Sequence, residues 1–217
     1  MRPRYRLPLA TKEATTLLEE SYLATLKARG GNYGIDEATR NVICLVARWL
    51  TGDAGNDKPS LLLYGDIGRG KTTLCSAVVR MVEQCKASIA AYSQANRWRL
   101  SKEDKQREWD WQRTATPEMI TAVELAQADE RELARIARAA VLIIDDIGIE
   151  PVEVKRYGTA ITPLVDVINE RYANQRCTII TTNLDDDSVI ERYGDRTEDR
   201  LREMCNKIAF SGESYRR

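Results

Sequence analysis

Apolar residues recur at helical spacing through residues 11–29, where Leu18, Tyr22 and Leu26 stand four apart on one face. Gly30-Gly31-Asn32 breaks that run. Asp36 is placed to cap a second helix, with Val42, Leu45, Val46 and Trp49 as its apolar stripe. The pattern then changes. Leu61-Leu62-Leu63-Tyr64, Val141-Leu142-Ile143-Ile144 and Thr178-Ile179-Ile180-Thr181 are short runs of apolar or β-branched residues, as in strands covered on both faces. Helical stretches over 72–85 and 161–172 fall between them. Strands alternating with helices predict an α/β fold, a doubly wound parallel sheet behind a small helical N-terminal region. Residues 51–59, rich in Gly, Asp and Asn, read as a linker. They divide the chain into a helical region, 1–57, and a main domain, 58–217, with an insertion at about 87–115.

Composition removes several chemistries. The 217 residues contain no His, which excludes Ser-His-Asp triads and His metal ligation. The five cysteines, Cys44, Cys75, Cys85, Cys177 and Cys205, form no C-x-x-C pair and read as reduced thiols of a cytoplasmic protein. The basic start, Met1-Arg2-Pro3-Arg4-Tyr5-Arg6, precedes no long apolar stretch, so neither a secretory leader nor a membrane span is expected. Lys+Arg and Asp+Glu both number 33, so any polyanion binding has to come from a local patch.

The chemistry-bearing motif is Gly65-Asp66-Ile67-Gly68-Arg69-Gly70-Lys71-Thr72, placed after a predicted strand and before a predicted helix. Glycines let the backbone close around a phosphate with its amides pointing inward, and the following helix presents its N-terminus to the same anion. Lys71 then supplies charge to the β- and γ-phosphates, Thr72 a hydroxyl for Mg²⁺, and Thr73 completes the ATP-binding set. The competing reading is a chance glycine-rich turn. The apolar strand ending in Asp145-Asp146 supplies the second half of such a site, with Asp145 toward the metal and Asp146 toward the attacking water. An acidic cap on the next helix is the alternative there. Thr181-Thr182-Asn183 ends the third strand, where ligands sit in open parallel sheets, and this places Asn183 near the γ-phosphate or the water.

Three motifs in this order resemble the AAA+ ATPases of the DnaC/IstB type, bacterial replicative-helicase loaders and transposition helpers. The matching segments are 65–72, VLIIDDIGIE at 141–150, INERYANQRCTIITTNL at 168–184, YGDRTEDRLREMC at 193–205 and GESYR at 212–216. The likeness runs from about residue 60 to the end. It implies ATP and Mg²⁺ as ligands, ATP hydrolysis and a homo-oligomer with nucleotide at its interfaces. It further implies a sensor role for Asn183 and a trans-acting arginine finger at Arg200, with Arg196 as neighbouring candidate and a sensor-2 position at Arg216. The other reading of 192–202 is a solvated charge run. Partners implied are a replicative helicase, gripped by the N-terminal region, and DNA, with single strands favoured. Alternatives are a transposition helper that binds duplex DNA and recruits a transposase, and a nucleotide-gated scaffold that barely hydrolyses ATP. The sequence departs from the family pattern in its short N-terminal region and in a reduced or absent helical lid.

The insertion is the most individual stretch. Arg97-Trp98-Arg99 and Trp109-Asp110-Trp111 combine with Lys102, Lys105, Arg107 and Arg113. Basic groups among aromatic rings suit single-stranded DNA. The alternative is an amphipathic helical hairpin whose tryptophans pack on the core.

Overall fold

In a computed structural model of the chain, residues 4–30, 34–53, 55, 58–156 and 158–210 are described. Two helices come first, α1 (Thr11–Ala28) and α2 (Glu37–Thr51). The Asp36 carboxylate caps α2 by accepting from the Thr39 amide at 2.7 Å, and Gly52 ends it in the left-handed conformation. Then come β1 (Ser60–Tyr64), α3 (Lys71–Ala95), α4 (Lys102–Arg113), β2 (Glu118–Thr121), α5 (Ala122–Gln127), α6 (Glu130–Arg138) and β3 (Val141–Ile147). A short antiparallel hairpin, β4 (Val154–Arg156) and β5 (Thr159–Ile161), leads to α7 (Pro163–Ala173). The chain continues through β6 (Cys177–Thr182), α8 (Asp186–Tyr193), α9 (Asp195–Met204) and β7 (Cys205–Ala209).

The main sheet has five parallel strands in the order β2-β3-β6-β1-β7. Strand periodicity sorts its side chains into two cores. Leu61, Leu63, Val141, Ile143 and Ile179 meet α1, α2 and α3 on one face. Leu62, Leu142, Ile144 and Ile180 meet α5, α6, α7, α8 and α9 on the other. This is the expected doubly wound layer structure. Helices α1 and α2 share one core with the sheet.

Several elements differ from the sequence reading. Leu45, expected on the apolar stripe of α2, is 46% exposed, while Ile43 and Leu50 are buried. The helix expected to stop near residue 85 runs to Ala95, through an Ala-rich stretch that favours helix. Ile161 belongs to β5, and α7 begins two residues later with Pro163 at its first turn. The edge strands β2 and β7 were not expected. Each mixes polar with apolar residues and lacks the continuous run of a central strand. Of the three tryptophans in the insertion, Trp111 packs in the core, whereas Trp98 and Trp109 are 90% and 52% exposed. Among the described residues no helix is long and apolar enough to cross a membrane.

Arg171 ties the far layer together. Its fully buried guanidinium donates to the carbonyls of Ala137 (3.1 Å) and Ala139 (2.9 Å) at the end of α6, to the Cys177 carbonyl and to the Thr178 hydroxyl (2.8 Å). Burial pushes its pKa down to about 10, so it remains charged at neutral pH. It meets α-helical carbonyls where a helix carries partial negative charge, which offsets part of the desolvation cost.

Candidate nucleotide site

The glycine-rich loop leaves β1 at Tyr64 and enters α3 at Lys71. Gly65 has φ +137°, and a Cβ there would stand 2.5 Å from the Phe210 carbonyl oxygen. Gly70 has φ +97° and caps α3, and a Cβ there would stand 2.2 Å from the Tyr22 hydroxyl. Both positions need glycine for conformation and for space. Asp66 and Ile67 are exposed on the loop, and the Arg69 guanidinium donates to the Asp66 carboxylate at 2.9 Å. Gly68, at φ +85°, completes the turn.

Lys71 is buried. Its ammonium donates to the carbonyls of Gly65 (2.6 Å) and Asp66 (2.9 Å) and to the Asn183 side-chain oxygen (2.7 Å). Burial lowers its pKa, against the opposing pull of Asp146, Asp66 and Asp145. The Thr72 hydroxyl donates to Asp145 Oδ1 at 3.1 Å. Asp145 is buried at the end of β3 and accepts a second bond, at 2.7 Å, from Thr181 on β6. That hydroxyl also accepts from the Asp146 amide at 2.7 Å. Asp146 adopts φ +60°, and its carboxylate accepts from the Asn183 side-chain amide at 2.9 Å. Residues from three segments of sequence thus close one hydrogen-bonded circuit at the C-terminal ends of β1, β3 and β6. Thr73 is buried on the first turn of α3, where Arg29, just past α1, donates to its hydroxyl at 3.2 Å.

The circuit contains Lys71, Thr72, Asp145, Asp146 and Asn183. Arg200 lies outside it. Its guanidinium donates to Asn169 and stacks over the Tyr172 ring at 5.3 Å, both on α7. Arg196 is exposed on the first turn of α9, and Arg216 lies outside the described residues. Two groups had no role in the sequence reading. Thr181 links both aspartates, and only knowledge that β3 and β6 are neighbours reveals it. Glu150, fully buried beyond β3, accepts from the Gly148 amide (2.8 Å) and the Tyr193 hydroxyl (2.5 Å), which joins the strand end to the α8–α9 corner.

The family model described as "IstB-like ATP binding protein" matches residues 45–217. No curated protein sequence matches the chain. Among solved structures, the crystal structure of DnaI is 18% identical, with a TM-score of 0.55 over 91% of this chain and 93% of that one. The DnaC helicase loader is 17% identical, with a TM-score of 0.55 over 88% and 99%. AMPPCP-bound DnaA from Aquifex aeolicus is 16% identical, with a TM-score of 0.52 over 85% of this chain and 50% of that one. At these identities the structures speak for the fold. The family model spans most of the chain and carries the assignment: the chain belongs to the IstB-like ATP-binding family.

Proposed function

We propose that the chain is an ATP-driven loader of a replicative DNA helicase, acting as an oligomer with ATP at its subunit interfaces. The observation that carries this reading is the convergence of Lys71, Thr72, Asp145, Asp146 and Asn183 on one loop. The ATP-binding family and the fold shared with the DnaC helicase loader support it. Lys71 supplies positive charge to the β- and γ-phosphates. Thr72 and Asp145 fit magnesium, because a hydroxyl and a carboxylate oxygen already in contact are the donor pair such an ion takes beside phosphate oxygens. When bound, the ion neutralises charge on those oxygens. Asp146, oriented by Asn183, positions the attacking water, and hydrolysis releases the loader. Arg200, held against α7 of its own chain, serves the site of a neighbouring subunit, where a guanidinium offsets charge developing on the transferred phosphoryl group.

The family description favours one second reading, a transposition helper that binds duplex DNA and recruits a transposase. Native mass of the protein mixed with the host replicative helicase, with and without ATP and Mg²⁺, separates the two. A discrete ATP-dependent complex, lost in Lys71→Ala, is the expected result. Assembly on duplex DNA with no helicase complex refutes the loader and supports the helper. Turnover equal to that of Lys71→Ala leaves only a nucleotide-gated scaffold.

A further inference from the structure

Helix α4 separates its chemistry by face. At 3.6 residues per turn, Lys102, Lys105, Gln106, Trp109 and Arg113 fall within an arc of about 100°. Glu103, Asp104, Glu108 and Asp110 lie outside that arc, and Trp111, buried in the core, points nearly opposite to it. The stripe runs about 16 Å along the helix. Trp109 lines both a recess shared with Lys102, Lys105 and Gln106 and a cleft of about 740 Å³.

That cleft lies at the end of the sheet opposite the nucleotide loop. Pro59, Val141 and Cys177, at the starts of β1, β3 and β6, line it. One strand length, roughly 20 Å, separates it from Asn183. Arg4, Arg6, Arg113 and Arg176 contribute four cations against one carboxylate, Asp110, which accepts from Gln106 at 2.8 Å. The Arg176 guanidinium donates through Nη1 to the Arg138 carbonyl, while its Nε is shielded from solvent with no hydrogen-bond partner among the described residues. The Arg113 guanidinium sits 4.6 Å from the Trp109 ring centre, and the residue is still 52% exposed. A surface that serves only for solvation mixes its charges, whereas here cations outnumber the single acid of the cleft and line up with a half-exposed tryptophan.

We propose that this stripe and cleft form a binding site for single-stranded nucleic acid, separate from the ATP site. Spaced cations track a phosphate backbone, and an exposed ring offers a face on which an unpaired base stacks. A duplex satisfies the cations but keeps its bases stacked inside, so Trp109 discriminates in favour of a single strand. The proposal is independent of the partner named above. A missing helicase complex with intact strand binding refutes only the loader, and the reverse result refutes only the stripe.

The test is fluorescence anisotropy with labelled dT20, rU20 and a 20-base-pair duplex, titrated into the full chain at several salt concentrations. With Lys102, Lys105, Arg113 and Arg176 on phosphates, the log–log salt slope for single strands is about −2.8, at about −0.7 per contact. Lys105→Ala/Arg113→Ala reduces the slope by about 1.4. Trp109→Ala weakens binding roughly five- to a hundredfold and leaves the slope unchanged. Arg107→Ala, on another face and paired with Glu13 at 3.2 Å, leaves both as they are. Whichever of dT20 and rU20 binds more tightly identifies the natural strand. Binding of a fluorescent ATP analogue shows that the variants are folded. Quenching of wild-type tryptophan emission by dT20, smaller in the conservative Trp109→Phe, gives a second readout. Affinity unchanged in Trp109→Ala and in the double variant, or a duplex bound as tightly as the single strands, overturns the proposal.

Discussion

Replacing Thr181 by Val tests the circuit at its least obvious member. The side chains are nearly the same size, so no cavity opens in β6, and the cost is one of hydrogen bonding alone. Thr181 donates to the buried Asp145 carboxylate at 2.7 Å and accepts from the Asp146 amide at 2.7 Å. A hydrogen bond to a charged acceptor contributes about 1.5–3 kcal/mol, and the orphaned amide costs about 1 kcal/mol more, because Asp146 is only partly buried and water reaches it. The expected loss is therefore about 2.5–4 kcal/mol, a large share of a typical domain's stability. At about 2–4 °C per kcal/mol for a chain of this size, the melting temperature falls by roughly 5–16 °C. Thr181→Ser keeps the hydroxyl and loses one methyl group, which costs about 1 kcal/mol. Urea unfolding followed by circular dichroism measures both. The valine variant shifts the midpoint at unchanged slope, which marks a change in stability and not in compactness. Because the same hydroxyl sets the backbone of Asp146, ATP turnover also falls in the valine variant and survives in the serine variant. A valine variant within 0.5 kcal/mol of wild type, or one less damaged than serine, refutes the role given to Thr181.

Three further outcomes follow from the geometry. Arg171→Lys replaces a fork reaching five acceptors with a point donor and strands carbonyls at the end of α6; urea unfolding should show a loss of about 2–4 kcal/mol, and a loss below about 1 kcal/mol would contradict the capping role. Tyr193→Phe removes a donor from the buried Glu150 carboxylate and costs about 1.5–3 kcal/mol by the same measurement, whereas a neutral effect would mean that the Gly148 amide suffices. The third concerns pH. Burial lowers the Lys71 pKa, so between that lowered value and the 10.5 of a free lysine the folded protein binds fewer protons than the unfolded chain, and folding stability gains slightly as pH rises. ATP affinity moves the other way, because a neutral amine gives phosphate no charge. Titrations with a fluorescent ATP analogue should show affinity falling before pH 10.5 in wild type and a flat profile in Lys71→Ala; a flat wild-type profile contradicts the lowered pKa.

The phosphate loop and the paired aspartates were legible in the sequence because each is a local signal, a run of glycines or an apolar strand with an acidic end. Their convergence follows from the parallel order of the central strands, itself readable from three uninterrupted apolar runs. Thr181 was not legible as a linker, since its bonds to Asp145 and Asp146 cross 36 and 35 positions of sequence and depend on β3 and β6 being adjacent. Arg171 reads in sequence as one more charge on a helix surface; only the end of α6 meeting the start of β6 makes its interior position tenable. The edge strands escaped because one side of each lacks a neighbouring strand and the runs are mixed. Trp109 and Trp111, two residues apart, received one reading for both. A helix turns them nearly to opposite faces, one into the core and one outward.

The N-terminal helices pack directly on the start of α3. A segment that only carries a partner has no need to touch the glycine-rich loop, yet α1 lies against it, and the residue that ends α1 reaches α3. The Tyr22 hydroxyl occupies the space a side chain at position 70 would need, and Arg29 donates to Thr73 and Ser76, both at 3.2 Å, on the first turns of α3. Leu18, Tyr22 and Leu26 are buried in the cluster that also holds Leu74, Val78 and Met81 of α3. A packed interface of this kind does not deform gradually, so displacement of the loop or of the start of α3 moves α1 directly, with no need of the segment between α2 and β1. The Tyr22 hydroxyl beside Gly70 therefore makes α1 one wall of the glycine-rich loop.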